Sequence, residues 1–504
     1  MTHPWELLPP RFSDSKPEKA PDTTYPEQSV EGEEYTELTT QTILVLLLQE
    51  DGKKRARART ADDLIKRYHF ATMTDTKELY VYLNGYYQIK GEDIVASEVR
   101  RLWSYQCTTG DIKEIIEAHI KPQTFTDRSI FNTDLDRTCL LNGILNLKTL
   151  ELEPFNPNHK FTFQLDITFD PQATCPNIEK AFNEIAENQE DIQTIIEVYA
   201  YCLYRSYPTA KIIVLLGDGR NGKSTVLNLL KNFLGKDNVR NMTIQQLEHN
   251  EYSKKFLYGR HANINPDIGN KKINTHGAVK ALTGSDEIDT NVKYCDNMQF
   301  LNYAKLIFGT NDLPQADDTS DAWISRWIFI RFPHKFKSNT ICPHCHTQHS
   351  IIKDYDKELL KESSGLLNKV LTALNHLRDN NWEFTLSDKA KNMETSYEEL
   401  SDPVAGFIKE CVDLVAAAKI GKTELYDAYR VYCQELGEPI QASNHFTNRL
   451  KQHLPDITDS KSGSKRFWIG ISLKEDTKQI NFKSDLLNDN PFGGLSPSAF
   501  IKKE

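Results

Sequence analysis

Between residues 211 and 234 the chain sets a glycine-rich loop, Gly217-Asp-Gly-Arg-Asn-Gly-Lys-Ser-Thr225, after the apolar run Lys211-Ile-Ile-Val-Leu-Leu and before the helix-like stretch Val226 to Leu234. The pattern G-x-x-x-x-G-K-[ST] constrains the fold strongly, because it requires a β-strand to end directly on a helix N-terminus. A chance match in a chain of average composition has a probability of roughly 0.02 before strand and helix context is demanded. The backbone N–H groups of Gly217, Asp218, Gly219, Arg220, Asn221 and Gly222 can converge on phosphate oxygens, and the helix dipole adds to their attraction. Lys223 would reach the outer phosphates, and Ser224, followed by Thr225, would offer a hydroxyl to Mg²⁺. ATP and Mg²⁺ are therefore the expected cofactors.

Downstream, β-type runs at Lys211 to Leu216, His261 to Ile268, Lys305 to Gly309 and Trp327 to Phe332 alternate with helical stretches, the grammar of an α/β sheet domain. At 504 residues the chain exceeds what one core organises. The expected division is a disordered acidic arm at 1–40, a small region with a basic run and hairpin at 41–106, and a helical module at 107–208. An ATPase core at 209–340, a Cys/His insert with helical lid at 341–400, a winged-helix-like domain at 401–475 and a flexible tail at 476–504 complete it. The arm holds six prolines and nine acidic residues against three basic ones, too little to bury. Lys53, Lys54, Arg55, Arg57 and Arg59 read equally as a solvated helix face and as a phosphate-binding patch. Nine cysteines thinly spread suit reduced thiols. No apolar run approaches bilayer length, and the first residues lack a basic-then-apolar leader pattern, so host cytoplasm is expected. A net charge of −10 confines any DNA contact to one face or a pore.

Four further segments carry a resemblance. Leu257-Tyr-Gly-Arg-His-Ala-Asn-Ile-Asn-Pro-Asp-Ile, Lys280-Ala-Leu-Thr-Gly-Ser-Asp-Glu-Ile, Tyr303-Ala-Lys-Leu-Ile-Phe-Gly-Thr-Asn-Asp-Leu-Pro and Trp323-Ile-Ser-Arg-Trp-Ile-Phe-Ile-Arg-Phe-Pro follow the phosphate loop in order. In this the chain resembles the phage and plasmid primase-helicases of superfamily 3, with the poxvirus primase-helicase more distant. The resemblance implies an α/β motor with an AAA+-like superfamily 3 sheet, an α-rich N-terminal module and a C-terminal winged-helix-like domain. It also implies a ring, usually a hexamer, that moves on single-stranded DNA, acts on forked DNA and works beside primase or other replication proteins.

The resemblance assigns roles by position. Asp267 takes the place of the acidic motif that serves Mg²⁺, although members often show two adjacent acids and here Pro266 and Ile268 flank a lone one. Asn311 takes the place of the sensor amide that orients attacking water. Arg326, with Arg331 as runner-up, takes the place of the arginine directed at a neighbouring subunit's nucleotide. Lys293 and Tyr294 would stand on a pore hairpin between Asp286 and Asn302, a cation for phosphate and a ring for stacking. Ordinary surface or turn roles remain the alternative for each.

Two readings stay open beside the helicase. An ATP-switched origin-binding or loading factor would carry the same motifs without unwinding. Asp134 and Asp136 superficially resemble the carboxylate pair of a nucleotidyl transferase, which would make the chain a primase as well. Cys342-Pro-His-Cys345-His-Thr-Gln-His349 has zinc-ligand residue types at knuckle spacing, but one C-x-x-C lacks its partner pair, so free thiols are the default and local Zn²⁺ the alternative.

Overall fold

The computed structural model describes residues 38–474 apart from 269–272, 274–276, 293–295, 315–319, 337–341, 343–354, 437–439 and 464. The four β-type runs become strands of one five-stranded parallel sheet: β1 (Ile212–Leu216), β2 (Val239–Arg240), β3 (Ala262–Asn265), β4 (Lys305–Thr310) and β5 (Trp327–Arg331). Their spatial order is β5-β1-β4-β3-β2, which sets β1 between the two strands latest in sequence. Side chains alternate across a strand. Ile213, Leu215, Ile307, Ile328 and Ile330 therefore enter a core shared with the helices Gln189–Leu203, Lys223–Leu234 (α1) and Ser363–Asp379. Ile212, Val214, Leu306, Phe308, Trp327 and Phe329 enter a second core with the helices Ile244–His249 and Gly277–Thr283. Burial on both faces is why β1 and most of β4 and β5 read as apolar runs, whereas β3 carries the buried Asn263 and Asn265.

One buried cation pins the start of β4. Lys305 Nζ donates to the carbonyls of Tyr204, Ser206 and Tyr303 at 2.8, 2.7 and 2.8 Å, and lies over the rings of Tyr201 and Tyr207 at 4.6 and 4.9 Å. Truncating it leaves three enclosed carbonyls without their donor. Lys305→Ala should lower stability by on the order of 3 kcal/mol, visible as a fall in melting temperature by calorimetry; an unchanged transition would mean that water replaces the ammonium.

The N-terminal region departs from its expected division. The core formed by Leu64, Val95, Val99 and Trp103 continues through Ile112, Ile115 and Ile120, and Phe70–Met73 pairs with Phe125–Thr126. A boundary at 106/107 would cut that core. The segment expected as a helical module also carries an antiparallel sheet of Arg137–Leu140, Gly143–Asn146 and Leu152–Glu153; its helices are mainly Pro176–Ile185 and Gln189–Leu203. Gly143-Ile-Leu-Asn-Leu-Lys reads as a short strand from its sequence and forms one, while its partners Arg137–Leu140 and Leu152–Glu153 are too short to leave a periodic signal. The hairpin expected within 41–106 forms about Asn84-Gly85. The basic run lies on the helix Gly52–Arg67, where Arg57 grips Asp111 through two bonds of 3.0 and 2.6 Å, so part of it serves internal pairing. Leu38, counted in the arm, is buried; residues 1–37 and the tail from 475 lie outside the described residues.

The helix Ser363–Asp379 is no lid. It buries Leu366, Leu367, Val370, Leu371, Leu374 and Leu377 against the sheet's helical layer. The C-terminal region holds its own core around Phe407, Tyr429, Phe446 and Trp468. Its order is helix Pro403–Cys411, strand Val412–Gly421, helices Lys422–Leu436 and Ser443–His453, then strands Thr458–Ser462 and Lys465–Leu473. The first strand was not expected. Its Ala416-Ala-Ala-Lys reads as helix by propensity, but pairing with Lys465–Leu473, through a register shift between Val415 and Lys419, overrides that preference. Among the described residues no helix is long and apolar enough to cross a membrane.

Candidate phosphate-binding site

The glycine-rich loop leaves the C-terminal end of β1, flanked by the C-terminal ends of β4 and β5, the edge at which open α/β sheets gather ligands. Gly217 begins it at φ +159°, and a Cβ there would lie 2.5 Å from the Phe332 carbonyl oxygen. Gly222 caps α1 at φ +93°, and a Cβ there would strike Ile185 at 2.6 Å. Both close approaches require glycine.

Lys223, the first residue of α1, turns its ammonium back into the loop. It donates to the Gly217 carbonyl, to the Thr310 carbonyl at 3.0 Å and to Asn311 Oδ1 at 3.1 Å. These partners are neutral. Burial pulls the Lys223 pKa below the ordinary lysine value, with the charges of Asp218 and then Asp267 opposing the shift. An enclosed ammonium at a helix N-terminus, held by uncharged oxygens, is the donor set that a polyphosphate fits. Ser224 is exposed beside it.

Asp267 is exposed just past β3, and its backbone N–H donates to Asn265 Oδ1 at 3.1 Å. Ile268 N–H donates to the Gly309 carbonyl at 3.0 Å, so this segment is tied to the end of β4. Asp267 and Asn311 thus share the loop's edge of the sheet. Arg326 does not. Its carbonyl accepts the Ile212 amide at 2.6 Å, which places it at the N-terminal end of β1 and β5, and its Nε donates to Thr283 Oγ1 at 3.2 Å. Arg331, in contrast, pairs with Leu216 at the loop's end. The runs around the polar middle of 286–302 form an antiparallel hairpin, Glu287–Thr290 with Met298–Leu301, while Lys293 and Tyr294 lie outside the described residues. So does Cys345; Cys342 is described and buried. Asp134 and Asp136 are engaged by Arg137 at 3.2 Å, by Lys148 at 2.6 Å and by Arg378 at 3.4 Å, so they do not form an open acid pair.

One part of the site was missed. The segment after β5 braces the loop from outside: Asn221 Nδ2 donates to the Phe332 carbonyl at 3.2 Å, Lys335 Nζ lies 3.4 Å from Asp218 Oδ2, and the Phe336 amide donates to the Arg220 carbonyl at 2.8 Å. Two of these three links use backbone atoms of the bracing segment, which no residue spacing advertises.

Comparison with known proteins agrees in outline. Residues 49–187 match the family "D5 N terminal like", residues 399–488 match "Poxvirus D5 protein-like", and residues 215–326 match a family of unknown function, DUF5906. A protein of Acanthamoeba polyphaga mimivirus named "Putative helicase L207/L206" is 27% identical over 194 residues, 36% of this chain; the matched part is 19% of that relative's length. Apo structures of the NrS-1 C-terminal region superpose with a TM-score of 0.51 and, in the A form, 0.50, at 12% identity, covering 82% of this chain and 99% of that one. That likeness concerns the mixed α/β fold with its parallel sheet. The D5-type matches on either side of the sheet domain, with the helicase-named mimivirus relative, support a phage and viral primase-helicase family for this chain.

Proposed function

We propose that the chain is an ATP-driven DNA helicase serving replication of a virus, plasmid or integrated element, and that it moves on single-stranded DNA as a ring, usually a hexamer. The observation that carries the reading is the buried Lys223 ammonium, set between Gly217, Thr310 and Asn311 at the C-terminal edge of the sheet. In this scheme the loop amides from Gly217 to Gly222 hold the phosphates of ATP and Lys223 bonds the outer ones. Mg²⁺, when bound, would neutralise charge on those phosphates. Ser224 and Asp267 would hold it, and Asn311 would orient the attacking water beside Lys223. Lys293 and Tyr294, which lie in sequence between the paired strands Glu287–Thr290 and Met298–Leu301, would grip single-stranded DNA. The C-terminal helices and paired strands suit a winged-helix module for duplex or partner contact.

Strand displacement tests the proposal. Purified protein with ATP, Mg²⁺ and a forked duplex should release the labelled strand, and a Lys223→Ala sample should not. ATP-dependent DNA binding with no displacement would point to a loading factor instead. The ion pairs of Asp134 and Asp136 disfavour priming at that pair.

A further inference from the structure

The basic run near the N-terminus lies on a helix that would be more stable without it. Lys53, Lys54 and Arg55 fill the first turn of the helix Gly52–Arg67, where the dipole disfavours cations, and no acidic residue stands in that turn. Residues four apart share a helix face. Lys53 and Arg57 therefore point together at the enclosed Asp111 carboxylate, which takes Arg57 at 2.6 Å and Lys53 at 3.6 Å. Arg55 and Arg59 share another face, with Lys54 between the two pairs, and these three are exposed. Among the described residues no carboxylate pairs with them; Arg55 bonds the Gln49 side-chain oxygen at 3.2 Å. Glu50 and Asp51 line the recess beside Lys54 and Arg55, and Asp62 stands one turn beyond Arg59. The balance is still a local excess of positive charge in a chain of net charge −10.

The patch continues onto the next helix. Gly91–Trp103 meets Gly52–Arg67 where Trp103 Nε1 donates to Thr60 Oγ1 at 3.0 Å, and the chain then runs back along that helix to Asp111. Between these anchors stands Tyr105, 84% exposed, and Arg100 is exposed just before them. Burial and then Asp111 raise the Cys107 pKa, while Arg100 and Lys53 oppose them, so cations from both helices surround the turn that carries Tyr105.

We propose that Lys54, Arg55 and Arg59, with Tyr105, bind single-stranded DNA at a contact separate from Lys293 and Tyr294. Cations that lack carboxylate partners suit a phosphate backbone, and an exposed ring suits an unstacked base, which duplex DNA does not offer. This second hold presupposes that the substrate is DNA, as proposed above, and it sits on the N-terminal core rather than on the sheet domain. It would keep the strand tethered while the motor's own grip changes with the nucleotide, since a second linked contact raises the effective concentration at the first.

Fluorescence anisotropy with labelled oligothymidine, full-length protein and no nucleotide reads this contact apart from the motor. Each phosphate contact on a single strand adds about 0.7 to the slope of log affinity against log salt. Lys54→Gln, Arg55→Gln and Arg59→Gln combined should therefore flatten that slope by about 2 and weaken binding at 0.1 M salt by more than about 10-fold. The melting temperature of this triple variant should hold or rise, because two cations leave the first turn of the helix. Tyr105→Ala should weaken binding by about 5- to 100-fold with the slope unchanged, since the ring carries no charge. ATP turnover without DNA should match the wild type in both variants. Wild-type protein without ATPase or strand displacement would sink the motor and leave these binding results standing. Unchanged affinity and slope in the folded triple variant would overturn the second contact, as would a loss confined to duplex DNA or one accompanied by a lowered melting temperature.

Discussion

Lys223→Ala is expected to reduce ATP turnover by about 10²–10³-fold, the range for removing one preorganised donor from a developing negative charge, while the protein stays folded. The two halves of that expectation have separate causes. The ammonium belongs to no apolar cluster; its partners are the Gly217 and Thr310 carbonyls and Asn311 Oδ1, all at the mouth of the loop. Its removal leaves the Asn311 side chain exposed and Gly217 half-buried, with only the Thr310 carbonyl enclosed, so the melting transition should fall far less than for Lys305→Ala. Catalysis is less tolerant. A mobile water cannot replace a charge fixed by α1 against the phosphates, because it would have to reorient as the bond breaks. Steady-state phosphate release, measured beside circular dichroism of the same sample, checks both halves. Turnover unchanged in folded Lys223→Ala would remove the nucleotide-site assignment, and with it the proposed motor.

What could be read from the sequence follows from how local each signal is. β1, β4 and β5 were legible because a strand buried on both faces is largely apolar, and Ile212 to Leu216 can hardly be anything else beside a glycine-rich turn. Glu287–Thr290 and Met298–Leu301 were legible as two β-type runs about a polar middle, and the resemblance implied that they form a hairpin. Val412–Gly421 was not, since its strand state exists only through pairing with Lys465–Leu473. Neither was the continuity of the N-terminal core across 106/107, which depends on Ile112 and Ile115 meeting Val95 and Val99. At the site, the loop's residues were found by spacing, but the convergence of Asn311 on Lys223 spans 88 positions and only the resemblance suggested it. The brace from Phe332 to Phe336 had no sequence signature, because Phe332 and Phe336 act through backbone atoms.

Arg326→Ala should bind ATP nearly as the wild type does and hydrolyse it about 10³–10⁵-fold more slowly, the range associated with an arginine that meets transition-state charge. The geometry restricts how such a residue can act. Arg326 is hydrogen-bonded through its carbonyl to Ile212, at the start of β1, whereas the phosphate loop begins after Leu216, the end of that five-residue strand. At about 3.3 Å per residue the two are separated by roughly 16 Å along the sheet, farther than an arginine side chain spans. Within its own chain Arg326 therefore cannot serve its own nucleotide. In a closed ring every subunit gives and receives the same contact, so the arginine can still complete the neighbour's site. Lys223→Ala then fails in the receiving half of the interface, and Arg326→Ala in the giving half. If the two inactive proteins are mixed in equal amounts and exchange subunits, about one quarter of interfaces will join an intact Lys223 to an intact Arg326 in a ring of this kind. Those interfaces should restore ATPase activity that neither variant shows alone. Arg331 supplies the contrast, since it aligns with Leu216 at the loop's own end. If Arg331 is the residue that matters and acts in its own chain, Arg331→Ala will be inactive and mixing it with Lys223→Ala will recover nothing, because each added site carries its own defect. Recovery with Arg326→Ala places hydrolysis between subunits, while silence under proven exchange removes Arg326 from the mechanism.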